Sequence, residues 1–380
     1  MYNKGDTSYK TQPKFISTEI IDHFLNKMDA YLINYEYPSF NIVFHGGEPL
    51  LAKKELYEYF IEKTISSFSK HNIKPFFGIQ TNGVLIDAEW VEIFKKYNLH
   101  VGISLDSTKE SNDINRVFHN GKSSYAEILK GFQFFKNSMG FTPGILSVID
   151  IDQDPKEVYD HYKNIGVEYV NLLFPDEIYE ENYIDDLRLG KWLLTMFNLW
   201  LNDKTIRVDQ FEVLMSIFYG ADYVGDEYYG VKLNNTFILE TDGEIQANDP
   251  LRVCVPNIHK TKLNVSKNNI MDIIENPLAE LYYNSKRRLC DKCNNCQLSD
   301  ICSGGYLVNR YSKKNGFDNP SIFCKSLAYF ITNVQNIIAD FTNPSLEEHE
   351  RITNLNLEEV MTYCQNNDYK ENYELSKFKN

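Results

Sequence analysis

The sequence predicts an α/β fold built from parallel strand–helix units, and two observations carry that expectation. Short apolar, β-rich runs recur at FNIVFH (40–45), FFGIQ (76–80), HVGISL (100–105), GILSVI (144–149) and YVNLLF (169–174). Between them, apolar residues fall at helical spacing: Leu56/Phe60/Ile61/Ile65/Phe68, Trp90/Phe94/Tyr97, Leu129/Phe132 and Val158/Tyr162/Ile165. Strands that alternate with amphipathic helices pair in parallel, as a closed barrel or an open sheet, and periodicity does not choose between them.

Further along, residues 186–202 and 208–219 read as helices leaving that domain. Residues 236–246 (TFILETDGEIQ) read as a hairpin, because alternating runs flank Asp242-Gly243, a strong two-residue turn signal. Helical patterns follow at 270–285 and 321–340, and the tail from Asn343 is charged and helical in places. The expected organisation is a first domain over 1–200, a helical linker over 201–235, a second domain over 236–340 and a tail over 341–380.

Composition narrows the partners. The net charge of −14, with no long basic run, argues against nucleic acid or an anionic membrane surface. The longest apolar stretch, KWLLTMFNLWL (191–201), is too short to span a bilayer, and MYNKGDTSYK has no signal core. The expected location is a reducing cytoplasm, where clustered cysteines bind metal more often than they form disulfides.

Four of the seven cysteines fall within Cys290-Asp-Lys-Cys293-Asn-Asn-Cys296-Gln-Leu-Ser-Asp-Ile-Cys302, and Cys324 lies twenty-two residues later. Cys-x-x-Cys is half of a tetrahedral zinc site. Four thiolates equally suit an iron–sulfur cluster, whose larger core tolerates wider spacings. Buried free thiols are the third reading. Ser303-Gly304-Gly305 is expected to bring backbone N–H groups close to sulfide. The cysteines alone leave zinc and iron–sulfur open.

The strand ends carry polar sets: His45-Gly46-Gly47-Glu48-Pro49, Thr81-Asn82-Gly83, Ser104-Leu-Asp106 and Asp113-x-Asn115-Arg116. Their order along the chain resembles the radical S-adenosylmethionine (AdoMet) enzymes. The resemblance implies a partial (β/α)6 TIM-like barrel lacking its first strand. It implies a cofactor site of Gly46, Gly47, Glu48 and Pro49 around the methionyl amino group, with Asn82, Ser104 and Asp106 beside it. Arg116 would face the methionyl carboxylate, and Leu173 would flank the adenine. The hairpin and cysteine block resemble the small SPASM domain, which implies that Cys293, Cys296, Cys302 and Cys324 hold one auxiliary 4Fe–4S cluster, with zinc second. The stretch from Cys302-Ser-Gly-Gly-Tyr to Cys324 is similar to a subgroup that matures ribosomally made peptides, some by crosslinking aromatic side chains.

Two departures accompany the resemblance. A second auxiliary cluster needs cysteines where Asn248 and Tyr306 stand, so it is expected to be absent, with Cys254 and Cys290 left nearby as free thiols or alternative ligands and Cys364 without an assigned role. Asp249 stands where some relatives carry the substrate's proton acceptor; a solvent-edge Asp is the plain alternative. The family's Cys-x-x-x-Cys-x-x-Cys motif, which binds the AdoMet-cleaving 4Fe–4S cluster, is missing, because the first cysteine is Cys254. The stretch from Met1 to Tyr9 resembles the text that follows that motif, so an N-terminal segment is expected to be lost. By resemblance, the function is hydrogen abstraction from a precursor peptide by a 5′-deoxyadenosyl radical, with flavodoxin or ferredoxin as electron donor. The chain as written is expected to be inactive. The alternative is a non-catalytic peptide-binding module stapled by one cluster or by zinc.

Overall fold

A computed structural model describes residues 10–34, 39–179, 184–221, 224–366 and 370–379, so the stretch from Met1 to Tyr9 lies outside the described residues. Helix α1 (Thr18–Leu32) starts where the Ser17 hydroxyl accepts the Ile20 N–H. Then strands and helices alternate: β1 (Ser39–Phe44), α2 (Lys54–Ser69), β2 (Lys74–Thr81), α3 (Ala88–Tyr97), β3 (His100–Ser104), α4 (Lys109–Asn115), α5 (Tyr125–Met139), β4 (Gly144–Val148), α6 (Pro155–Ile165) and β5 (Tyr169–Leu173). After α7 (Arg188–Asp203), the two-residue β6 (Arg207–Val208) pairs with β5. All six strands are parallel and lie in chain order. The five apolar runs are thus the first five strands.

The sixth strand corrects the expected boundary at residue 200. Arg207–Val208 is too short to show a period, but Val208 is buried and α8 (Asp209–Phe218) returns against β5. Gln210 on α8 donates to Asn171 and accepts the Leu172 N–H, which fixes that return.

The two sheet faces differ. Ile42, Phe77, Ile79, Val101, Ile103, Ile145, Val170 and Leu172 turn toward the helices and join the main core with Phe94, Phe132 and Phe135. Burying each such side chain contributes roughly 1.5–3 kcal/mol. On the opposite face stand Val43, Gln80, Gly102, Ser104, Leu146, Asn171 and Leu173, half-buried at best, with Val43 59% exposed and only Gly78 buried among them.

The second half packs back on the first. The hairpin turns at Asp242-Gly243 between β7 (Ile238–Leu239) and β8 (Glu244–Gln246), and a third antiparallel strand, β9 (Lys260–Asn264), completes the sheet. Its Ile245, with Val265, meets Ile21, Phe24 and Met28 of α1. The helix expected over 270–285 is two, α9 (Ile270–Ile274) and α10 (Pro277–Tyr283). Pro277 has no N–H to continue the first, and the Asn276 side chain caps the second. Short helices α11 (Asp291–Asn294) and α12 (Ser299–Cys302) follow. Helix α13 (Cys324–Thr342) then crosses α7, where Phe330 meets Phe197. At that crossing a Cβ on Gly190 would lie 2.4 Å from the Ser326 carbonyl oxygen, so only glycine fits. Asp185 accepts the Ser326 N–H and hydroxyl nearby. The tail folds as α14 (Leu357–Gln365) and α15 (Tyr373–Ser376), and α14 packs along α13.

Candidate functional site: the sheet end and the thiol pocket

At the end of β1, Gly46 has φ +94°, a region glycine enters without penalty. Gly47 needs another explanation, because its φ is ordinary and a Cβ there would meet nothing within 4 Å. The chain's own packing does not require that glycine, so the opening fits the close approach of a ligand. Glu48 is fully engaged. Its carboxylate accepts the Leu50 N–H (3.0 Å), the Thr81 hydroxyl (2.6 Å) and the Asn82 N–H (2.8 Å), lashing the end of β1 to the end of β2. Pro49 is buried, and its carbonyl accepts the Tyr57 hydroxyl. Asn82 spends its side chain on the Val84 N–H, as a turn-former.

Across the open face, the Ser104 hydroxyl accepts from Gln80 Nε2 at 2.9 Å. Gly102 lies opposite, where a Cβ would sit 2.1 Å from Gln80 Oε1. Sequence reasoning missed Gln80, since its position depends on a glycine in the next strand. Arg116 grips Asp106 at two points, Nε to Oδ2 at 2.7 Å and Nη2 to Oδ1 at 2.9 Å, while Asp106 also accepts the Val148 N–H. That pair occupies one edge of the guanidinium and leaves the Nη1 edge for an anion. Asp106 therefore anchors Arg116. Leu173 ends β5 on this same open face, one residue before Phe174, which stacks on Tyr228 at 4.2 Å.

Asp249 is not a solvent-edge residue. Its side chain is 15% exposed and lies 2.8 Å from Arg252 Nη2, an ionic contact off the hydrogen-bond line. The same nitrogen reaches Glu240 (2.6 Å) and Gln246 (2.8 Å). Burial raises the Glu240 carboxyl above its ordinary range. Beside it, Asn248 donates to Glu227, which also accepts the Tyr282 hydroxyl. Tyr306, Tyr228 and Tyr282 are buried there too, with Tyr306 and Tyr228 in ring contact at 5.3 Å.

The second centre is the thiol pocket. Cys290 precedes α11, Cys293 lies in it, Cys296 follows it, Cys302 ends α12 and Cys324 begins α13. These thiols sense one another. Contact with Cys290 and burial raise the Cys293 thiol, and Cys293 in turn lowers Cys290. Burial, then the charge of Cys324, pushes Cys302 up to about 12. Cys364, which the sequence left without a role, lies against Cys324. Cys254 is buried in the main core instead. Among the described residues no three Cys, His, Asp or Glu side chains converge on a point where one metal ion could bind.

The surroundings of the pocket are cationic. Arg310 is 1% exposed and spends all five N–H groups on carbonyls of Ser285, Arg288, Ser303, Gly304 and Gly305. Lys286 is 3% exposed, 3.5 Å from the Gly305 carbonyl. Burial pushes it down to about 8. Among the described residues neither cation joins an ion pair. The expected role of Ser303-Gly304-Gly305 is thereby corrected. A Cβ on Gly304 would lie 2.8 Å from Arg310 Cζ, and one on Gly305 would lie 3.0 Å from Leu327, so these glycines make room for side chains. Tyr229 is fully buried, and its hydroxyl has no partner. Its chain neighbour Gly230 donates to the Ile301 carbonyl at 2.7 Å, next to Cys302. Two buried cations and an orphan hydroxyl around clustered thiols fit a bound group that is anionic and rich in acceptors, as a thiolate-ligated cluster is.

Three comparisons with known proteins bear on these centres. Residues 18–165 match the radical SAM superfamily. The cysteine-type anaerobic sulfatase-maturating enzyme of Clostridium novyi (strain NT) is 26% identical over 307 residues, covering 77% of this chain and 80% of that protein. The serine-type enzyme of Bacteroides thetaiotaomicron is 22% identical over 376 residues, covering 91% and 87%. Among solved structures, native anSMEcpe with bound AdoMet aligns with a TM-score of 0.71 at 22% identity, covering 87% of this chain and 91% of that one. At that identity the likeness is one of fold. Among the described residues no helix is long and apolar enough to cross a membrane.

Proposed function

Since the chain carries a radical SAM domain and is homologous to the anaerobic sulfatase-maturating enzymes, we propose that it serves peptide or protein maturation, with AdoMet on the open sheet face and one 4Fe–4S cluster in the thiol pocket. The observation that carries this reading is the open face itself. Parallel sheets ordinarily bury both faces. Here one face is left half-exposed, and Gln80, Ser104 and Leu173 stand on it, with Gly47 and Arg116 at its rim.

In this reading the sheet is the inner wall of a partial barrel and the second half is a SPASM domain. Gly46 and Gly47 admit the methionyl end of AdoMet, and Arg116, steadied by Asp106, presents its Nη1 edge to the carboxylate. Ser104 with Gln80 supplies hydroxyl and amide contacts, and Leu173 the apolar one. Cys293, Cys296, Cys302 and Cys324 hold the cluster, with Arg310 and Lys286 offsetting its charge. Bound there, an iron–sulfur cluster supplies one-electron transfer. Thiols that are not driven to one point suit a polynuclear core better than zinc, which draws all four sulfurs onto one ion. Asp249 takes a proton from the peptide once Arg252 releases it to Glu240 alone.

Residues 1–253 contain no cysteine, and AdoMet cleavage needs a cluster on three thiolates at the sheet end. The 380-residue chain is therefore proposed to bind AdoMet without cleaving it. The second reading is a non-catalytic module that holds a precursor peptide; aromatic crosslinking, an electron donor and a cytoplasmic location belong to the enzymatic reading. The test is anaerobic loading with iron and sulfide, followed by equilibrium dialysis with AdoMet and a dithionite assay for 5′-deoxyadenosine. The expected result is a brown protein with one cluster, bound AdoMet and no 5′-deoxyadenosine. A colourless protein that takes up zinc, or AdoMet that does not bind, overturns the reading. Released 5′-deoxyadenosine overturns only the statement about cleavage.

A further inference from the structure

Helix α14 carries a sixth thiol into the pocket, and the contacts that hold it there are specific. Cys364 is 4% exposed. Its carbonyl accepts Lys292 Nζ at 2.8 Å, and the neighbouring Tyr363 hydroxyl donates to the Lys292 carbonyl at 2.7 Å. Lys292 lies between Cys290 and Cys293, so α14 is stitched to the cysteine block from both directions. Asn356 caps α14 by accepting the N–H groups of Glu358 and Glu359, and the helix lies along α13, which begins at Cys324. The Cys324 and Cys364 thiols end side by side, near enough to perturb one another.

Two sulfurs that touch cannot serve separate corners of a 4Fe–4S core, but either can reach the same iron. The geometry points to Cys364 as an alternative ligand that shares the Cys324 coordination position, so that the C-terminal helix is part of the metal site. This rests on the cluster reading above. The ligand left out stays beside the occupied position, held there by the packing of α14 on α13.

Iron and sulfide are loaded anaerobically into the full chain and into Cys324→Ser, Cys364→Ser and Cys324→Ser/Cys364→Ser, and iron per chain is measured with the visible spectrum. Each single variant is expected to keep most of the wild-type iron, and the double variant to lose most of it. A double variant carrying the same iron as Cys324→Ser overturns the proposal. Circular dichroism checks that the double variant is folded. Should it not be, Cys324→Ser is compared with Cys324→Ser/Tyr363→Phe, which unties α14 from the Lys292 carbonyl and leaves every thiol and buried cation in place. The added substitution is expected to speed iron loss to a chelator several-fold, and an unchanged rate overturns the proposal. A wild-type chain that takes up no iron would instead refute the cluster reading itself.

Discussion

At the sheet end, Glu48 accepts three hydrogen bonds from the chain and Asp106 holds Arg116 at two points. In the thiol pocket, Arg310 and Lys286 are more deeply buried, yet neither makes an ion pair: Arg310 meets carbonyl dipoles, Lys286 a carbonyl with Asp226 acting on it from beyond contact distance, and the Tyr229 hydroxyl meets nothing. The first centre is electrostatically complete before a ligand arrives, so its geometry is preorganised. The second carries surplus positive charge and an unused donor, so its stability is tied to what it binds. Removing metal should therefore loosen the pocket and leave the sheet intact.

The largest effect that sharpens this contrast is expected from Arg310→Met. Five carbonyls lose their bond to the guanidinium at once, four of those bonds buried, which should destabilise the fold by roughly 3–5 kcal/mol in urea unfolding and abolish iron retention. Next comes Asp106→Ala at the sheet end. It strips the Val148 N–H and Arg116 of their acceptor, for about 2–3 kcal/mol by the same measurement, equally with and without iron. A loss that depends on iron would break the comparison.

A smaller effect concerns pH. Burial raises Asp226 from 3.8 to about 6, partly offset by Lys286. Between those values the folded chain holds a proton that the unfolded chain has released, so stability should fall as pH rises from about 4 to about 6. The penalty is absent below that window and complete above it. Asp226→Asn should flatten that slope in unfolding midpoints taken across the range. The smallest effect is expected from Tyr229→Phe. Deleting an orphan hydroxyl should stabilise iron-free protein by about 1 kcal/mol and destabilise loaded protein by a similar amount, as read from paired melts. The same sign in both states would mean that the hydroxyl faces no acceptor.

Much of the first domain was legible because its strands are continuous apolar runs between helical periods, and the glycine and acid motifs fall where those runs stop. Val208 escaped because two residues carry no period, and β9 because KTKLN is polar and follows a long loop. Gln80 was hidden because only the glycine across the sheet reveals where it points. Arg310 was hidden because backbone carbonyls leave no mark in a sequence. Cys364 lies forty positions beyond Cys324 in a charged tail, and only the packing of α14 on α13 brings it back. The short spacing of the cysteine block pointed to one neighbourhood, while the side chains for which Gly304 and Gly305 make room, Arg310 and Leu327, left no mark in it.

The crossing at Gly190 sets a tolerance. With the backbones of α7 and α13 touching there, the separation between the open sheet face and Cys324 is fixed by bare main chain, with no side chain acting as a shim. Even an alanine would wedge the two helices apart. The missing methyl group at residue 190 is thus a built-in ruler for the distance between the two regions.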